Sequence, residues 1–185
     1  MPLGLDVSLI VFLNGEFLPE ADAHISVNDR GFLYGDGLFE TTRVVKSRPF
    51  RFAQHLERLV RGADFLKIKL PYTPKEIQKI ADQLIVKNNM PESILRVILS
   101  RGPGVRGYSP KGASKPTFAM TMHPVPPMDK VVEWSLITSS FRIPASDQLS
   151  SCKNSSKLLQ ILARAEAEEA GVDEALLINT NGEVA

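Results

Sequence analysis

The sequence predicts a mixed α+β / α/β protein arranged in two domains. Three observations carry this expectation. Short apolar runs bounded by turn residues alternate with two long segments of three- and four-residue apolar spacing; a proline-rich stretch interrupts the pattern at residues 123–130; and strand and helix signals resume after it.

Taken in order, Val11 to Phe17 reads as a β-hairpin, because Asn14-Gly15 is the dipeptide that best accepts the positive φ angles of a type I′ turn. A polar stretch then leads into DRGFLYGDGLFETTRVV, Asp29 to Val45, whose glycines precede a strand-like run from Leu38. Leu56, Leu59, Val60, Ala63 and Leu66 recur at helical spacing and place a first helix over Ala53 to Phe65. Pro74 opens a second, Lys75 to Lys87, with Ile77, Ile80, Ala81, Leu84 and Ile85 as its buried stripe. Strands over Ile94 to Ser100 and Thr117 to Met122 flank a Gly/Pro-rich loop and complete an N-terminal domain over residues 1–122. HPVPPMDK, residues 123–130, has no periodicity and reads as an interdomain linker.

A second domain is expected over residues 131–185. It offers a strand from Val131 to Thr138, a long polar loop, an amphipathic helix that starts just after Lys153 and stops at Ala170-Gly171, and a strand from Glu174 to Asn179. Thr180-Asn181-Gly182 signals a hairpin turn, yet Glu183, Val184 and Ala185 are too few for a returning strand. The second domain is therefore expected to be incomplete.

Composition bounds the function. With 43% hydrophobic and 23% charged residues the chain has ordinary soluble globular character, and a net charge of +1 gives no electrostatic basis for a nucleic-acid or membrane surface. A small-molecule partner is the expectation. One cysteine, Cys152, allows no intramolecular disulfide, and His24, His55 and His123 lack metal-ligand spacing. Both features suit a reducing cytoplasm. The apolar run Leu9 to Leu13 is far too short to span a bilayer.

Gly102-x-Gly104-x-x-Gly107 formally matches a dinucleotide fingerprint, but that fingerprint must lead into a helix, and here Pro110 and Pro116 lead into another strand. What remains is a hairpin tip carrying Arg101, Arg106, Tyr108 and Lys111, either solvated or suited to an anionic substrate. Arg58, on the flank of the first helix, is either a surface arginine or part of an anion site. Lys153 is the odd residue, because a cation is disfavoured at the positive end of a helix. Three readings stand: an exposed loop lysine, a cation that activates Cys152, or an amine that condenses with a carbonyl compound and moves protons.

Four blocks in order, DRGFLYGDGLFETTRV, HLERL, SRGPGVRGYS and KNSSKLLQILARAEA with the following GVDEALLINTNGEV, make the chain resemble the fold-type IV pyridoxal-phosphate enzymes. These are the branched-chain aminotransferases, D-amino-acid aminotransferases and 4-amino-4-deoxychorismate lyase. The resemblance implies a two-domain architecture of that type, with the second domain truncated, a homodimer, and pyridoxal 5'-phosphate as cofactor. It makes Lys153 the catalytic lysine that holds the cofactor, and Arg58 the ligand of the cofactor phosphate. Tyr34 and Phe39 would wall the pocket, while Arg101, Arg106 and Tyr108 would sit on a substrate-facing loop. SRGPGVRGYS is most similar to the lyase, which releases pyruvate and 4-aminobenzoate for folate synthesis, and this makes the lyase the first expectation; Phe39-Glu40 resembles the aminotransferase branch, so an aminotransferase acting on branched-chain or D-amino acids is the alternative. A catalytically inactive relative serving as a binding or dimerisation module is the third implied possibility.

Overall fold

Asn14 (φ 50°) and Gly15 (φ 112°) both take left-handed backbone, closing the expected hairpin between β1 (Ile10–Leu13) and β2 (Glu16–Pro19). The computed structural model describes residues 9–126 and 133–185. They fall into two units: the part through Pro126 joined by Cys152–Ser155, and the rest of the C-terminal part.

In the first unit a short helix, α1 (Arg30–Tyr34), stands where the sequence showed only a glycine-rich stretch. Asp29 caps it by accepting a hydrogen bond from the Gly31 N–H, and Gly35 ends it at φ 67°. Then come β3 (Gly37–Val45), β4 (Arg48–Pro49), α2 (Phe52–Leu66), α3 (Pro74–Asn88), β5 (Ser93–Ser100) and β6 (Thr117–His123). The start of α3 has a full capping box between Thr73 and Glu76, with Pro74 in its first turn.

The strands form one antiparallel sheet in the order β2-β1-β6-β5-β3-β4. Period-2 alternation sends Leu38 and Val44, Leu95, Val97 and Leu99, and Phe118, Met120 and Met122 to one face, where they join the apolar stripes of α2 and α3 in a single core. Phe39, Arg96, Ile98 and Ala119 occupy the alternate positions, with Phe39 opposite Ile98 and Ile98 opposite Ala119. The first face thus packs against the helices, with Glu40 set among its apolar residues, and the second carries Phe39 and Arg96.

The segment Cys152–Ser155 adds to this sheet beside β3. Asn154 opposes Leu38, the Phe39 N–H donates to the Lys153 carbonyl (3.0 Å), and the Ser155 N–H donates to the Gly37 carbonyl (2.9 Å). This corrects the expected helix start. Lys153 is extended backbone stitched to a strand, and α4 begins only at Leu158, with Lys157 at its N-cap.

In the second unit β7 (Leu136–Ile143) and β8 (Glu174–Asn179) pair in parallel, joined through α4 (Leu158–Glu169). Glu166 of α4 is tied to β7, accepting from Ser139 Oγ and the Ser140 N–H. The strand expected from Val131 begins at Leu136 and runs on to Ile143; positions 127–132, which include most of the expected linker, lie outside the described residues. His123 belongs to β6. The residues after the Asn181-Gly182 turn do return, since Val184 pairs antiparallel with Ile178. A single bridge needs less chain than the strand that the sequence was expected to lack.

Candidate active site

β3 places two consecutive side chains on opposite sides of the sheet. On one side the Phe39 ring receives the Lys153 Nζ at 4.5 Å and the Arg96 Cζ at 4.2 Å from its centroid. Both cations gain from the ring's negative face, and Lys153, which is partly buried, is held by the backbone stitch described above. Arg96 was missed in the sequence. The signal that could have found it is the alternation in SILRVILS, which sets Arg96 on the face opposite Leu95 and Val97.

On the other side Glu40 reaches toward α2. Its carboxylate is 1% exposed and accepts from Arg58 Nε (2.7 Å), Arg58 Nη2 (2.7 Å) and His55 Nδ1 (2.7 Å). Burial, the largest influence, pushes the Glu40 carboxyl up, but the hydrogen bonds and charges of Arg58 and His55 together hold it below its ordinary value. The same contact raises the Arg58 guanidinium. Because Arg58 meets Glu40 through its Nε–Nη2 edge, its Nη1 donates no hydrogen bond among the described residues. Arg58 lines an open pocket of about 270 Å³ with Arg51, Gln54, His55 and Arg61. One buried carboxylate thus orients one arginine of a strongly basic pocket, a donor set that suits a phosphate.

The glycine-rich loop is built differently from a nucleotide site. Gly102 (φ 82°) is obligatory, because a Cβ there would lie 1.8 Å from the Lys115 carbonyl oxygen. Arg101 is expected to face substrate, yet its guanidinium is committed inside the fold, to Asp36 (2.7 and 3.0 Å) and to the carbonyls of Leu66 and Lys67. Asp36 also accepts from Arg30, and these two arginines outweigh its burial and lower its carboxyl. Tyr34 does meet the loop: its hydroxyl accepts from the Gly107 N–H (3.1 Å) and its ring lies 5.7 Å from that of Tyr108. Arg106 and Tyr108 are exposed at the tip. The structure therefore brings Lys153 to Phe39 and Tyr34 to Tyr108, ties Arg58 to Glu40, and sets Arg101 to holding the loop's base.

Residues 37–185, which carry Phe39, Arg58 and Lys153, match the family model described as amino-transferase class IV. The chain belongs to the class IV aminotransferase family. Among relatives of this family, a Methanocaldococcus jannaschii protein assigned as a branched-chain-amino-acid aminotransferase is 36% identical over 93% of this chain and 60% of its own length. The D-alanine aminotransferase of Staphylococcus epidermidis is 35% identical over 54% of this chain and 35% of its own length.

Solved structures of the family agree. The T.th. branched-chain amino acid aminotransferase with pyridoxamine 5'-phosphate superposes with a TM-score of 0.89 at 27% identity, covering 96% of this chain and 62% of that one. The 4-amino-4-deoxychorismate lyase of Pseudomonas aeruginosa does so with a TM-score of 0.77 at 30% identity, covering 95% and 63%. The chain thus spans about 60% of the length of the class IV aminotransferase proteins that it matches over nearly all of its own.

Proposed function

We propose that this chain is part of a pyridoxal-phosphate-dependent aminotransferase acting on amino acids, with Lys153 as its catalytic amine. The observation that carries the reading is the convergence of Lys153 and Arg96 on the Phe39 ring, beside a strand whose next residue, Glu40, orients Arg58 in a basic pocket. Pyridoxal phosphate, when bound, withdraws electrons from the substrate α-carbon. The protein's own part is positioning and proton transfer. Arg58, its plane fixed by Glu40 one residue along β3 from Phe39, is the phosphate ligand that the family resemblance implies. The Lys153 amine would attach the cofactor covalently and, once released, carry the proton at the substrate α-carbon. Phe39 would keep that amine against an apolar surface, and Arg96 would offer a guanidinium fork to a substrate carboxylate.

A second reading is aminodeoxychorismate lyase. It is supported by the SRGPGVRGYS loop and by the likeness to the Pseudomonas aeruginosa lyase over 95% of this chain. A homodimer fits either reading.

Borohydride reduction of the cofactor-loaded full chain, followed by peptide mapping, is expected to label Lys153. A label on Lys157 or Lys111 would sink the assignment. Half-reactions with leucine, isoleucine and D-alanine are then compared with pyruvate release from aminodeoxychorismate. Faster conversion of an amino acid supports the aminotransferase, and pyruvate release with inert amino acids establishes the lyase instead.

A further inference from the structure

The interior of α2 contains a buried glycine, Gly62. Glycine is a poor helix former, and no left-handed backbone requires it here, since the φ of Gly62 is not positive. Space requires it. A Cβ on Gly62 would lie 3.0 and 3.2 Å from the two Cδ atoms of Leu38 and 3.3 Å from the Cβ of Cys152, tighter than ordinary van der Waals contact. Leu38 is 2% exposed and Cys152 6%, and both belong to the core that α2 covers. In so dense a surrounding, a push on either side chain is passed on to the backbone rather than absorbed.

The two residues that meet at Gly62 are the ones that immediately precede Phe39 and Lys153. Their segments are also paired with each other: Asn154 opposes Leu38, and the Phe39 N–H donates to the Lys153 carbonyl at 3.0 Å. Side chains alternate across extended backbone, so with Leu38 and Cys152 turned toward α2, Phe39 and Lys153 project to the opposite face. There the Lys153 Nζ stands 4.5 Å from the centroid of the Phe39 ring. One point on the helix thus underlies both partners of the lysine–ring contact.

We propose that Gly62 is a positioning residue for Lys153: the bare backbone at this point of α2 sets how deeply Leu38 and Cys152 seat, and through them how the amine stands over the Phe39 ring. The inference rests on the reading above, that Lys153 is the catalytic amine, and adds what places it. Gly62 acts only through these two neighbours.

Trace acetylation of the cofactor-free full chain, with Lys153 read against the exposed Lys79 by peptide mapping, tests this without turnover. Gly62→Ala is expected to raise the relative labelling of Lys153 about 2- to 5-fold, because the cation–ring contact that favours the protonated amine is lost. Cys152→Val adds a branch at the Cβ, presses on the same point from the other side, and should act in the same direction. Leu38→Val removes both Cδ atoms; alone it should lower Tm by loosening the core while changing the labelling by less than about 2-fold. Combined with Gly62→Ala, it vacates the space that the new methyl needs, and the labelling should return most of the way to the wild-type value. In turnover by the cofactor-loaded chain, Gly62→Ala should lower kcat about 3- to 10-fold and change KM by less than about 2-fold, since the displaced group carries the proton and does not bind the substrate.

If Gly62→Ala does not fold, Cys152→Val decides. Unchanged Lys153 labelling in whichever of the two folds overturns the role of Gly62. So does a change in Leu38→Val as large as that in Gly62→Ala, because a loosened core would then suffice. A double variant no closer to the wild type than Gly62→Ala overturns it as well. Borohydride mapping of the loaded chain judges the cofactor reading separately, since acetylation of Lys153 needs no cofactor.

Discussion

Arg58→Ala strips the buried Glu40 carboxylate of its bidentate partner, and the cost can be worked from the geometry. Removing one member of a buried ion pair costs about 3–5 kcal/mol when nothing else neutralises the survivor. Here His55 remains at 2.7 Å, and the Arg58 side chain is 42% exposed, so solvent screens part of the interaction. A loss of about 2–3 kcal/mol near neutral pH follows. In a chain of this size each kcal/mol lowers Tm by about 2–4 °C, which gives a deficit of about 4–12 °C.

The pH dependence has a definite sign. Burial raises the Glu40 carboxyl, and Arg58 and His55 more than offset it, so the folded value lies below the ordinary one. The stability that Glu40 contributes in the wild type is complete above the ordinary carboxyl value and is lost as pH falls through the lowered one. Without Arg58, burial dominates, and the carboxyl takes up its proton at higher pH. The variant's deficit therefore shrinks on acidification. Scanning calorimetry of the cofactor-free wild type and variant at neutral pH and near pH ~4, around the ordinary carboxylate range, measures this. A neutral-pH deficit under about 2 °C, or one of equal size in acid, would refute the reasoning.

Gly102→Ala places a Cβ on the Lys115 carbonyl at a positive φ, and a destabilisation of about 2 kcal/mol or more is expected. Gly112→Ala, at φ 83° with nothing within 4 Å, should cost about 1 kcal/mol; equal urea midpoint shifts for the two would show that the contact is relieved at no cost. Phe118→Ala removes a fully buried ring packed edge-on against Phe12 (6.2 Å) and Tyr72 (5.1 Å), and should lower unfolding free energy by about 3–5 kcal/mol in urea titration.

Local chemistry made the hairpin and the two long helices legible: Asn14-Gly15 needs no partner to turn, and the α2 and α3 stripes repeat over several turns. The five-residue helix at Arg30–Tyr34 is too short to display a period, so only its Asp29 cap could have signalled it. The start of α4 was misplaced for another reason. Residues 153–157 are compatible with a first helical turn, and what holds Cys152–Ser155 extended is a partner strand more than a hundred positions earlier. Glu40 was legible as a residue and not as a buried one, since its burial depends on Arg58 and His55 arriving from α2. Arg101 shows the converse, a basic loop residue whose donors are taken by Asp36, Leu66 and Lys67.

The stitch of Cys152–Ser155 onto β3 also orders events in time. β6 ends at His123, so every strand of the first sheet has been synthesised some thirty residues before the segment that carries Lys153. At about 5–20 residues per second on the ribosome, the Gly37–Phe39 edge waits roughly 2–6 s for its last partner. During that interval the nascent chain presents a vacant pairing edge next to a core that still lacks Cys152, a point at which a chaperone or a neighbouring nascent chain competes with Asn154 for Leu38. The lysine is therefore the last residue of the site to be synthesised, and it arrives together with Cys152, which completes the core.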